Sequence, residues 1–126
     1  MEIRTLVEQY TAVVYGDEGD ESWLAEAFGA ARSYLERFGV GPVGPPFVRV
    51  IDGEAIAGYV ATTPVGGQGD VEPSELPGGT VAVGDDEAAV RSWVETQGGT
   101  PAGEPWTVFV DGAVDGRREV VLPYTT

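Results

Sequence analysis

Acid–base chemistry in this chain falls to carboxylates, tyrosines and arginines, because it contains neither histidine nor cysteine. Their absence excludes disulfides, His- or Cys-ligated metal sites, a thiolate nucleophile and an imidazole base. What remains is 21 Asp and Glu, five Tyr and seven cationic residues, every one of them Arg. The formal net charge of −14 repels a phosphate backbone or an anionic lipid surface, so nucleic acid and membrane are not expected as partners. The same charge solvates the surface and attracts cationic ligands. No metal or cofactor is expected. No apolar run reaches transmembrane length and the N-terminus lacks a signal-peptide h-region, which predicts a cytoplasmic protein. A length of 126 residues predicts a single domain over 1–126.

The elements that must position these groups follow from an internal repeat. Gly44-Pro45-Pro46-Phe47-Val48-Arg49-Val50-Ile51-Asp52-Gly53 returns as Gly103-Glu104-Pro105-Trp106-Thr107-Val108-Phe109-Val110-Asp111-Gly112. In both copies a Gly-x-Pro-aromatic entry leads into a Val-rich strand closed by an Asp-Gly turn, at a constant offset (103 − 44 = 59). A repeat constrains the fold more strongly than any local preference.

The rest of the chain fits around it. A Val- and Tyr-rich stretch from Ile3 to Tyr15 predicts one strand, and 17–20 a turn with Asp20 or Ser22 available as a helix cap. Leu24, Ala27, Phe28, Ala31, Leu35 and Phe38 form one apolar stripe, which predicts a helix over 21–38 ended by Gly39. Strands at 47–51 and 55–62 join at Asp52-Gly53, and 64–76 reads as a connecting loop. The second copy opens with a strand at 80–83. A helix follows over about 86–97, ended by Gly98, then the Gly103–Asp111 strand and a last strand from Arg117 to Leu122. Each half thus reads β-α-β-β, repeat one over about 3–63 and repeat two over about 77–124. The expectation is an α+β fold of two tandem β-α-β-β repeats with pseudo-twofold symmetry: an antiparallel sheet, two helices and a central ligand groove.

Four stretches then resemble the GyrI-like small-molecule-binding family, which includes the effector-binding domains of AraC-type and MerR-type multidrug regulators. Leu76-Pro77-Gly78-Gly79-Thr80-Val81-Ala82-Val83 resembles its Leu-Pro-Gly-Gly strand entry, and Gly44-Pro45-Pro46-Phe47 its Gly-Pro-Pro-aromatic motif. Gly103-Glu104-Pro105-Trp106 resembles the segment before its ligand-site strand, and Glu119-Val120-Val121-Leu122-Pro123 its C-terminal ending. The resemblance spans nearly the whole chain. It implies a groove for flat, hydrophobic, often cationic compounds, as in multidrug binding and antibiotic resistance, and in some members hydrolysis of strained-ring natural products. Two family features are missing. The Glu-x-Tyr of the ligand-site strand is Thr107 and Phe109 here, and the His-x-Gly-Pro-Tyr motif is replaced by Gly84-Asp85-Asp86-Glu87.

Strand alternation puts Thr107 and Phe109 on one face, and the repeat makes Val48 and Val50 their equivalents. These four are expected to line the groove from both halves, with Tyr59 and Trp23 at its rim. The leading expectation is a stand-alone binder of a mostly apolar, aromatic small molecule, a sequestering or resistance protein, with no length left for a DNA-binding helix-turn-helix. A second reading is a hydrolase or cyclisation enzyme, whose acid or base would come from Glu119, Glu104 or Tyr59. A third is a protein–protein inhibitor module acting through the acidic surface on a protein partner.

Overall fold

The computed structural model describes residues Met1–Thr126. The element order is β1 (Glu2–Leu6), β2 (Gln9–Asp17), α1 (Leu24–Arg37), β3 (Pro42–Ile51), β4 (Glu54–Ala61), β5 (Glu72–Leu76), β6 (Gly79–Gly84), α2 (Glu87–Thr96), β7 (Thr100–Pro101), β8 (Trp106–Phe109) and β9 (Arg118–Thr125). The strands form one curled antiparallel sheet in the order β1-β6-β9-β8-β3-β4-β2-β5, with the two-residue β7 paired to the end of β9. Neither helix is long and apolar enough to cross a membrane.

The strand order is symmetric about the β3–β8 junction, as the repeat requires. From the centre outward one half runs β3, β4, β2 and the other β8, β9, β6. The register proves the equivalence residue by residue. Val48 pairs with Thr107, flanked by Phe47 with Val108 and Arg49 with Trp106. Exchanging the halves at an offset of 59 carries each of these pairs onto another, so the pseudo-twofold axis passes through Val48–Thr107. The helix ends obey the same offset. Val40 N–H donates to Leu35 O, and Gly99 N–H to Val94 O. Gly39 (φ 69°) and Gly98 (φ 75°) supply the left-handed residue that this helix ending needs.

Three expectations are corrected. The stretch from Ile3 to Tyr15 is two strands, broken at Val7–Glu8: β1 pairs with β6 of the second half, whereas β2 pairs with β4 and β5. The 64–76 connection is not all loop, because its last five residues form β5 along β2. Helix α1 starts at Leu24, and its cap residue Trp23 offers no side-chain cap. Asp20 accepts the Ser22 N–H at 2.9 Å instead. Helix α2 is capped by Asp86, whose side chain accepts the Ala89 N–H at 3.0 Å.

Both helices cover the same face of the sheet. Leu24, Ala27, Phe28, Ala31 and Leu35 of α1 pack on Ala12, Ala57, Tyr59 and Phe109, and Val90 and Val94 of α2 pack on Ala82, Val120 and Leu122. Small residues in the strands under each helix let it approach closely. The opposite face carries a second apolar layer, including Val13, Phe47, Ile56, Val81, Trp106 and Val121. Within β3 the ladder to β4 shifts register between Val43 and Phe47. Gly44 has a φ of 71°, and Pro45 and Pro46 have no N–H to donate, so this segment bulges where an ordinary strand would pair.

Candidate functional site

A cleft of about 470 Å³ lies over the pseudo-twofold axis on the helix-covered face. Its floor is Val48, Val50, Ala55, Thr107 and Phe109, from β3, β4 and β8. One wall is the β2–α1 loop with Trp23 and Leu24, and the other is Glu87 and Arg91 on α2. Glu104, Pro105 and Arg118 complete the lining. The volume is in the range that holds a drug-sized molecule.

Five of the six expected ligand-site residues meet here. Val48, Val50, Thr107 and Phe109 share the floor because they alternate outward on two strands that pair across the axis. Trp23 stands at the wall. Its indole lies over Gly16, where a Cβ would come within 2.4 Å of the ring. The sixth, Tyr59, is not at the rim: it is 7% exposed beneath α1, with its ring centroid 6.3 Å from that of Phe28. Of the three acid–base candidates, only Glu104 lines the cleft. Glu119 pairs with Val108 and sits between Arg4 (3.9 Å) and Arg117 (4.0 Å), on the opposite face from Thr107. A single step along a strand turns a side chain to the other face, and Glu119 is one step from the cleft-lining Arg118.

The cleft is more charged than the expected apolar groove. Its lining holds six carboxylates (Asp17, Glu18, Asp20, Glu21, Glu87 and Glu104) against two guanidinium groups, a formal charge of 2 − 6 = −4. Glu87 and Arg91 pair along α2 at 3.0 Å. Arg118 forks onto Glu21, both nitrogens at 2.8 Å from its oxygens, and donates to the Val114 carbonyl at 2.8 Å. That fork holds the Glu21 carboxyl below its ordinary range. The hydrogen bonds that Asp20 accepts from Ser22 hold its carboxyl low as well. A general acid at neutral pH needs a raised pKa, so neither Asp20 nor Glu21 is suited to that role.

No motif in the sequence marks the acidic wall, Arg118 or the α2 pair as part of the cleft. The Asp17–Glu21 run beside Trp23 was the available signal. It exists because the first half has more chain between strand and helix. Pairing across the sheet makes Ala12 equivalent to Ala82, 70 residues on, whereas the helix ends are 59 apart. The 11 extra residues extend β2, build the loop and lengthen α1, and so break the symmetry of the cleft.

No family model and no curated protein sequence matches the chain. Solved structures do. The crystal structure of the EcmrR C-terminal domain superposes with a TM-score of 0.73 at 10% identity, covering 99% of this chain and 96% of that one. In the cryo-EM structure of the EcmrR–DNA complex the TM-score is 0.74 at 12% identity, and this chain spans 57% of the EcmrR chain. A hydrolase from Listeria innocua matches with a TM-score of 0.58 at 14% identity over 98% of this chain and 90% of that one. At such identities the likeness speaks for the fold: the chain has the α+β fold of the EcmrR C-terminal domain.

Proposed function

We propose that this protein binds a small molecule with a flat apolar body in the cleft between its two halves. The observation that carries the reading is the cleft itself: about 470 Å³, centred on the Val48–Thr107 pair, with aliphatic and aromatic floor residues and an acidic wall. Apolar floor area drives burial of the ligand body, and the carboxylates favour a positively charged end over a negative one. The sequence alone favours neutral aromatic compounds; the acidic wall widens that set to cationic ones. The role that follows is effector binding, sequestration or resistance.

Two fluorescent probes test it: N-phenyl-naphthylamine, which is neutral, and berberine, a planar cation. Both are expected to bind saturably. Thr107→Trp, which fills the middle of the floor, is expected to weaken both by at least about tenfold while the far-ultraviolet circular dichroism stays unchanged. Absence of saturable binding by either probe, or binding indifferent to Thr107→Trp, would refute the reading.

A further inference from the structure

Phe109 lines the cleft, yet it is only 1% exposed. It meets Phe28, with ring centroids 5.4 Å apart. It also carries the Arg118 guanidinium, whose Cζ is 4.7 Å from the ring centroid. The two residues are directly opposed across β8 and β9, so the sheet register sets the stack. Arg118 also forks onto Glu21, which is 97 residues away and belongs to the longer strand-to-helix loop of the first half. A planar cation lying on an aromatic face and forked onto a carboxylate is how proteins hold cationic ligands. Here the cation belongs to the chain itself.

Resting on the reading of the cleft as a ligand site, we propose that Phe109 and Glu21 form its cation half-site. Arg118 fills that half-site in the free protein, and a planar organic cation enters by displacing it. Two features make displacement feasible. The Arg118 and Glu21 side chains are 37% and 54% exposed, and an ion pair that open to water holds weakly. A planar aromatic cation, unlike the guanidinium, also brings apolar area to bury against Val48 and Val50. Charge recognition then comes from the loop before α1 rather than from position 107, where Thr stands. Arg118 acts as an internal competitor that sets the threshold for cationic ligands.

The two partners of one ion pair are therefore expected to have opposite effects. Arg118→Gln uncovers Phe109 and frees Glu21, and berberine should bind about tenfold tighter. Glu21→Gln removes the acceptor and leaves a positive charge in the cleft, and berberine should bind several-fold weaker, about fivefold. The double variant should lose the gain of Arg118→Gln. N-phenyl-naphthylamine should respond little to Glu21→Gln. If Arg118→Gln does not fold, Arg118→Lys carries the test, because it keeps the charge but loses the fork: tighter berberine binding supports the proposal, and unchanged or weaker binding overturns it. A merely structural latch predicts the same sign for both substitutions, and that result also overturns the proposal. If naphthylamine binding and its block by Thr107→Trp persist in that event, the cleft stands as a ligand site and the half-site alone falls. If no probe binds any variant, both readings fall.

Discussion

Glu21 and Thr107 both line the cleft, and each gives a test at the scale of one residue. Because Arg118 holds the Glu21 carboxyl below its ordinary value of 4.5, the sign of the pH effect is set. A carboxyl with a depressed folded-state pKa contributes stability above its unfolded value and loses it as pH falls through the folded value. The Glu21–Arg118 contribution is thus present at neutral pH and fades in acid below pH 4.5. Melting temperatures of the parent and Glu21→Gln, followed from neutral to acid pH, should differ at neutral pH and converge in acid. A difference that persists unchanged would show that the pair contributes nothing. Thr107 offers a complementary test. It is half-buried between Val48 and Val120, so Thr107→Glu would place a carboxylate among apolar neighbours and beside an acidic wall. A loss on the order of 1–3 kcal/mol is expected, seen as a lowered melting temperature, with part of it recovered on adding berberine. An unchanged melt would mean that position 107 is open to water.

Single backbone positions decide whether the elements around the cleft form at all. Gly58 pairs with Phe47 where β3 shifts register, and a Cβ there would lie 1.9 Å from the Ala12 carbonyl oxygen. The obstacle is backbone of β2, which cannot rotate away. Gly58→Ala should therefore cost at least about 3 kcal/mol, by forcing β2 and β4 apart. Denaturant titration would show this as a midpoint shift, and a shift near zero would contradict the close approach. At α2, the Asp86 side chain satisfies the Ala89 N–H. Asp86→Ala should lower stability by about 1 kcal/mol. Asp86→Asn, which keeps the acceptor, should retain most of the stability, and equal losses in the two variants would assign the effect to something other than the cap.

At the scale of the molecule, a formal charge of −14 on 126 residues works against the compact state. Few cations offset it, and the ion pairs that exist leave most carboxylates without an arginine. Raising sodium chloride from about 10 mM to 150 mM shortens the Debye length from about 30 Å to 8 Å, so the melting temperature should rise over that range. A fall would mean that the few ion pairs outweigh the repulsion. The same salt series should weaken berberine binding while leaving N-phenyl-naphthylamine binding nearly constant, since only the former draws on the acidic wall.

Local spacing was enough for the repeat, the two helices with their glycine ends, the Asp52-Gly53 hairpin and the shared face of Val48, Val50, Thr107 and Phe109. Each of these rests on residues close in sequence or on an offset visible in the text of the chain, and the cross-sheet register agrees with that offset pair by pair. The break at Val7–Glu8 was not legible, because a Val- and Tyr-rich stretch satisfies strand preference throughout, and only competition between β6 and β4 for partners divides it. For the same reason β5 passed for loop: its Glu72-Pro73-Ser74-Glu75-Leu76 sequence has little strand character and pairs only because β2 offers an open edge. Tyr59 shares the face of the cleft but lies under α1, and Glu119 lies on the other face, one step from Arg118; alternation along a strand gives two faces without saying where a helix lands on them. The stack of Arg118 on Phe109 and its fork onto Glu21 lay furthest from view. It joins residues 97 positions apart, and a contact over that distance depends on how the sheet curls and where the longer first loop lands, which no local preference encodes.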